Sequence, residues 1–271
     1  MSKARLTTET VIPQVRKLRS PAERERTQTY YIEGARIVAH ALSAGAPLTL
    51  GILAPDLLRG QHAHDTANAL RAVDIPVVEM SRAAFESISF KENLSGIGAV
   101  VAMRRENVTD IHPKPTDLWV ALDNVGNAGN LGAIMRTCDA VGTAGLIMIG
   151  STTDPHHPDT IRASMGSFFA LRLARAENFE TFAAWKSEHP LIVVGTTPDV
   201  RQEYRAVRYP DGCILLMGSE RTGLSAAQQA VCDLLVRIPM TGTVDSLNLG
   251  VATSIVLYEM YHQRREHAQS I

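Results

Sequence analysis

Two hydrophobic periods alternate along most of this chain. From Tyr30, "YYIEGARIVAHALSAG" sets Ile32, Ala35, Val38 or Ala39, and Leu42 on one face at helical spacing, and Gly45 suits the C-terminal stop. Continuous apolar runs in "LTLGILAP" and "IPVVEM" predict strands, with a helix in "DTANALRAVD" between them. A short helix in "RAAFESIS" and a strand in "GIGAVVAM" complete a small α/β unit that ends near Met103. Next comes "RRENVTDIHPKPTD", with two prolines, several charges and little apolar character. Residues 104–116 are therefore expected to be a linker.

The alternation resumes in the second half. "LWVALD" predicts a strand. "NLGAIMRTCDAVG" predicts a helix with Leu131, Ile134, Met135, Cys138 and Val141 on one face, Asn130 as N-cap and Gly142 as stop. The strand "GLIMIG" follows, then a helix in "PDTIRASMGSFF", a strand in "LRLAR" and a helix in "FETFAAWKSEH". Strands in "LIVVG" and "CILLMG" precede a helix from Ser225 and a strand in "LLVRI". A last long helix is expected from near Ser246, which would cap it, to the Arg264–Arg265 region. Uninterrupted apolar strands between helices imply an α/β fold with a parallel sheet covered on both faces.

Composition changes this picture little. Of 271 residues 45% are apolar, enough for one large domain or two modest ones, and with 5% aromatics the aliphatic residues carry the burial. A net charge of −1 excludes a surface that is basic throughout, but it leaves room for a local patch. The first 36 residues hold eight Lys or Arg against four Glu. That excess reads either as a solvated helix face with Glu/Arg pairs or as an arm that touches phosphate. Cys138, Cys213 and Cys232 are isolated in apolar runs and read as core residues. His156 and His157 lack matching ligands and read as a solvated loop, so no metal is expected. With no apolar run near 18 residues and no apolar leader, the chain is expected to be soluble and cytoplasmic.

Three constellations carry candidate chemistry. "DNVGNAGNLGAIMRT" (123–137) joins a strand to a helix, yet Gly126, Gly129 and Gly132 lack the close pair of a dinucleotide fingerprint. Asn124, Asn127, Asn130 and Arg136 suit an anion or nucleotide site better than an ordinary turn. Arg136 stands six residues beyond Asn130, a net 240° around the helix at 100° per residue, so it is not stacked directly above Asn130, but its long side chain can reach around the helix end towards that loop. In "LLMGSERTGLS" (215–225), a buried strand opens into a polar loop at the sheet edge where ligands bind. Glu220 and Arg221 there read as a solvated pair or as functional groups, and Ser225 as a cap for the next helix. In "RIPMTGTVDSLNLGVATSIVLYEM" (237–260), Asn248 is an amide among Leu, Val, Ala and Ile, which needs a partner if buried.

Taken in order, these motifs resemble the SpoU (TrmH-like) family of RNA ribose 2′-O-methyltransferases of the SPOUT superfamily. The family's N-x-G-A-x-x-R-T is matched at Asn130–Thr137, its G-x-E-x-x-G at Gly218–Gly223, and its I-P-M-x-G-x-x-x-S-L-N at Ile238–Asn248. Two departures are mild: Asn127-Ala128 stands where Asp-Pro is common, and Leu249-Gly250 where Val-Ser is common.

The resemblance implies a C-terminal SPOUT domain (117–271) with a parallel sheet and a deep trefoil knot. It implies a smaller L30e-like RNA substrate-binding domain with a basic leader at 1–103, before the linker at 104–116. It further implies S-adenosyl-L-methionine as cofactor, held by the loops of Thr196, Leu216, Gly218, Ile238, Met240 and Leu247. The catalytic set it implies is Arg136, Asn130, Glu220, Ser246 and Asn248. The implied partners are RNA, with 23S-type ribosomal RNA foremost, and a second copy of the chain in a homodimer. A guanidinium holds its proton tightly, so Arg136 is read as a phosphate holder rather than a base. A tRNA ribose methyltransferase and a non-catalytic RNA-binding protein on the same fold are the alternatives.

Overall fold

The computed structural model describes residues 6–90 and 93–269. By chain contacts the molecule divides into two compact units. The first runs to Arg104 and takes in His156–Phe169, and the second comprises Arg105–Pro155 and the chain from Ala170.

The first unit opens with α1 (Thr8–Lys17) and α2 (Pro21–Thr27), then β1 (Thr29–Glu33), α3 (Ala35–Ser43), β2 (Leu48–Leu53), α4 (Gly60–Ala72), β3 (Val77–Glu79), α5 (Arg82–Ile88) and β4 (Ile97–Ala102). Its four strands lie in the order β1-β4-β2-β3, with β4 antiparallel to both neighbours and β2 parallel to β3. Residues 29–33 are thus a strand and not the start of a helix. Tyr30, Tyr31 and Ile32 are buried and paired with β4, and Gly34 at φ 116° separates them from α3. Pairing with β4 satisfies their backbone, so tertiary context overrides the helical spacing.

Three arginines of the basic leader are architectural, while Lys3 and Arg5 lie outside the described residues. Arg24 is 1% exposed and donates to the carbonyls of Leu18 and Arg19. Arg16 and Arg19 donate to the carbonyls of Ser87 and Ser89, and Arg19 also lies over the Phe90 ring. Removing a buried donor strands its acceptors, whereas an exposed ion pair adds little.

The second unit begins with β5 (Glu106–Asn107), β6 (Leu118–Asp123), α6 (Ala128–Val141) and β7 (Gly145–Ile149). Then α7 (Pro158–Ala163) falls in the segment grouped with the first unit, where His156 is buried against the rings of Tyr30 and Phe168. The histidine is a packing residue there rather than part of a solvated loop. The second unit resumes with β8 (Leu173–Ala176), α8 (Phe179–Ser187), β9 (Ile192–Thr196), β10 (Cys213–Met217), α9 (Ala226–Val231), β11 (Leu234–Val236) and α10 (Leu249–Gln269).

Seven strands lie in the order β11-β9-β10-β6-β7-β8-β5, and every pairing is parallel. Each residue of β6, β7 and β10 is buried, as continuous apolar strands require. The expected linker is corrected at this point. Residues 106–107 form the edge strand β5, and Val108 and Ile111 are fully buried in the core with Trp185. Two apolar residues three apart are too few to mark a strand by period, yet they suffice to pin the segment down.

All three cysteines belong to this unit. Burial pushes the thiols of Cys138 and Cys232 up to about 12 and that of Cys213 up to about 11. They are held as neutral thiols, and a thiol reacts through its thiolate. At pH 8, N-ethylmaleimide is expected to label the native protein slowly and the unfolded protein rapidly at all three, as mass spectrometry reads out. The linked stability is full below the ordinary thiol value near about 8.5 and is lost as pH rises from there through 11 to 12. In the first unit, Arg24→Ala is expected to cost about 1–3 kcal/mol in urea unfolding. The exposed Arg26→Ala is expected to stay within about 0.5 kcal/mol.

Candidate active site

In-register parallel pairing brings the ends of four strands to one edge of the second unit. Met217 pairs with Leu122, Leu216 with Gly195 and Val236 with Thr196. The loops after β6, β9, β10 and β11 leave from that edge, where open parallel sheets bind ligands.

Each motif loop is held by local chemistry. After β6, Asn127 caps α6: its Oδ1 accepts from the N–H of Asn130 at 3.0 Å. The cap is Asn127 and not Asn130, so the Asn130 side chain is left to look outward from the first turn. After β10, Ser219 and Gly223 exchange both backbone hydrogen bonds, at 3.2 and 3.0 Å. A Cβ on Gly218 would lie 2.1 Å from the Gly223 backbone, and Gly223 sits at φ 64°. Both glycines are required for a loop this tight, with Glu220 exposed near its tip. Before α10, Asn248 is the cap rather than Ser246. Its Oδ1 accepts from the N–H groups of Gly250 at 2.9 Å and Val251 at 3.3 Å. Two free N–H groups at a helix start demand an oxygen, and the Asn248 amide supplies it.

That cap sets the direction of a longer chain. With Oδ1 committed to the helix, Asn248 has only Nδ2 to give, and it donates to Asn130 Oδ1 at 2.9 Å. Asn130 in turn donates Nδ2 to Glu220 Oε1 at 2.5 Å. Each amide can face only one way, and the series ends on a carboxylate oxygen that accepts. Three residues from three separate motifs are joined so that Glu220 points at Asn130 rather than pairing with Arg221.

The other two expected catalytic residues stand apart from this chain. Arg136 is exposed on α6 and makes no hydrogen bond or ion pair among the described residues. Ser246 is exposed, and its Oγ donates to Asp245 Oδ1 at 3.2 Å.

A cavity of about 440 Å³ opens beside the chain. Of the residues expected to hold the cofactor, Thr196, Gly218, Ile238, Met240 and Leu247 line it, together with Glu220 and Ser246. Leu216 does not. It is 0% exposed within the core, while its neighbour Met217 lines the cavity and accepts from Thr196 Oγ1 at 3.5 Å. Successive strand residues face opposite sides, so the cavity-lining position of β10 is Met217. Thr197 and Leu249 also line it. Their only sequence signal was adjacency to Thr196 and Asn248. The volume and the mixed lining, with Met217, Ile238, Met240 and Leu247 beside Thr196, Glu220 and Ser246, suit a small organic ligand with polar groups. Among the described residues no group of His, Cys, Asp or Glu could hold a metal, and no helix is long and apolar enough to cross a membrane.

Sheet, cavity and polar chain describe an α/β protein with a pocket at the carboxyl edge of a parallel sheet, beside the hydrogen-bonded Asn248, Asn130 and Glu220. Comparison with known proteins narrows that class. The SpoU rRNA Methylase family matches residues 117–258, and the MRM3-like substrate binding domain matches residues 9–99. An AdoMet-bound rRNA methyltransferase from Sinorhizobium meliloti superposes with a TM-score of 0.85 at 34% identity, over 96% of this chain and 97% of that one. A 23S rRNA (uridine(2479)-2′-O)-methyltransferase of Streptomyces viridochromogenes is 34% identical over 61% of this chain and 60% of its own length. A 23S rRNA (guanosine(2553)-2′-O)-methyltransferase of Bacillus subtilis is 28% identical over 90% and 93%. The chain belongs to the SpoU rRNA Methylase family and is a methyltransferase.

The two roles of Asn248 separate by substitution. Asn248→Ala is expected to lose the cap and about 1 kcal/mol in chemical denaturation. Asn248→Asp keeps the capping oxygen and should unfold near wild type, though it no longer donates to Asn130. Equal losses in both variants would remove Oδ1 from the cap.

Proposed function

We propose that this protein transfers a methyl group from S-adenosyl-L-methionine to a ribose 2′-oxygen of ribosomal RNA, 23S-type RNA foremost. The observation that carries the reading is the Asn248–Asn130–Glu220 chain beside the cavity. The two 23S relatives are named for different bases, uridine and guanosine, and share the ribose 2′-oxygen. A site built from backbone loops and amides suits that common group better than it suits either base.

Bound in the cavity, S-adenosylmethionine supplies a methyl group that its sulfonium has already made electrophilic. Thr196, Gly218, Ile238, Met240 and Leu247 would hold it, largely through backbone and apolar contact, with Met217 in the place first expected of Leu216. The chain's own task is to bring a hydroxyl into line and keep it there. Asn248 and Asn130 hold Glu220 at the cavity, which Ser246 also lines. Arg136 is a fixed cation left exposed and unspent, which fits a clamp on the phosphate next to the target ribose.

The first unit serves in this reading as the RNA substrate-binding domain, as its match to a substrate binding domain supports. The second unit is the methyltransferase domain, with the trefoil knot of the SPOUT superfamily. The working form is a homodimer, and the protein acts in the cytoplasm. In favour of a self-association face, Val251 and Tyr258 are exposed seven residues apart on α10, and Val244 and Leu247 are exposed just before it. Seven residues are close to two helical turns, so Val251 and Tyr258 share a stripe.

Arg136→Ala is expected to lower methyl transfer to 23S rRNA by about 100-fold or more, the scale of losing one fixed electrostatic contact to the reacting region. Calorimetric affinity for S-adenosylmethionine should stay nearly unchanged. With the intact protein, one nucleotide of the product RNA should resist alkaline cleavage. A methylated base beside a free 2′-hydroxyl would overturn the assignment.

A further inference from the structure

The second unit buries a carboxylate that the methyl-transfer chain does not touch. Asp123, the last residue of β6, is 6% exposed. Its Oδ1 accepts from Asn124 Nδ2 at 3.0 Å, and its Oδ2 accepts from Gln228 Nε2 at 2.8 Å. Gln228 is 7% exposed on α9, and its amide is fully engaged. Its Oε1 accepts from the N–H of Ser225 at 2.7 Å, and its N–H donates back to Ser225 Oγ at 3.3 Å. This is a capping box whose glutamine also reaches out of the helix to another strand.

The placement of the bond gives it consequence. Asp123 closes the strand from which the Asn130 loop departs. Ser225 and Gln228 open the helix in which the Glu220 loop ends. Asn124, held at φ 49°, spends its Oδ1 on the N–H of Ser151, which fixes the first of these loops from the other side. We propose that Gln228 is a positioning residue for methyl transfer: through Asp123 it clamps the Glu220 loop to the Asn130 loop and so sets the Asn130–Glu220 contact. This rests on the proposed function for its use in catalysis, though not for the clamp itself. A loose tie here displaces a polar group at the reacting centre, and a displacement of about 1 Å costs up to about 100-fold in rate.

The donor and acceptor pattern permits a decisive exchange. In Asp123→Asn, one oxygen is left for two donors, so the new NH₂ group faces either Gln228 Nε2 or Asn124 Nδ2, and neither of those amides can turn because the N–H groups of Ser225 and Ser151 hold their oxygens. In Gln228→Glu, two carboxylates face each other in the interior. In the doubly exchanged protein, Asn at 123 donates to Glu at 228, which still accepts from Ser225 and sits at the helix N-terminus where an acid is favoured. The total charge is conserved.

The four proteins, with Gln228→Leu as a fifth, are compared by melting temperature, by kcat and KM on 23S rRNA, and by hydrogen exchange of the Ser219 and Gly223 amides. We expect each single variant to lose about 10- to 100-fold in kcat with KM for RNA changed far less. Those two amides should exchange faster, and the double exchange should recover both rate and protection. If the double exchange regains the melting temperature but not kcat, or if the folded single variants keep wild-type kcat, the positioning role is overturned. If the amides exchange at wild-type rates in Gln228→Leu, the clamp itself is overturned. An unaltered protein that methylates no RNA would sink the proposed function, while the exchange measurement still decides the clamp.

Discussion

The candidate site depends on the parallel register of β9, β10, β6 and β11. β6 and β10 are buried along their whole length, and the parallel ladder fixes how far each strand runs relative to its neighbours. The strand ends stop together: Met217 pairs with Leu122, Leu216 with Gly195 and Val236 with Thr196. Everything polar in the site is hung from those ends. The motif loops are short and exposed, and none of them could hold an amide to within a fraction of an ångström without a rigid edge behind it.

Much of this was legible in the sequence. The uninterrupted apolar runs at 118–123, 145–149 and 213–217 announced parallel strands, and the face of Leu131, Ile134, Met135, Cys138 and Val141 is buried throughout. Misreadings occurred where two local rules competed. Residues 30–33 carry a helical period, yet β4 pairs with them. Residues 106–111 look like spacer, yet an edge strand and two buried side chains hold them in the core. By charge alone the arginines of the leader read as solvated or phosphate-seeking. Several instead close the carbonyls of nearby turns, which charge counting cannot detect.

At the site, sequence supplied the residue types but not the division of labour among amides. Asn127, Asn130 and Asn248 are chemically alike, and a cap can be assigned to any of them from spacing. The structure gives the caps to Asn127 and Asn248, which frees Asn130 to bridge. The difference follows from where the first helical N–H groups point, a detail fixed by one residue of helix start. The same holds for Leu216 and Met217, where strand alternation decides which one meets the cavity.

Asn248 also couples stability to chemistry in an instructive way. An exposed asparagine at a helix start is ordinarily interchangeable with serine, aspartate or threonine at little cost. Here the helix claims the oxygen, and the amide keeps a separate donor atom for Asn130. A serine hydroxyl can accept and donate too, but both roles then fall on one atom, whereas the asparagine amide divides them between Oδ1 and Nδ2. Aspartate could cap, but it would present an acceptor to an acceptor. The helix start and the polar chain together exclude aspartate and favour asparagine, and the constraint arises from counting donors and acceptors at one exposed position.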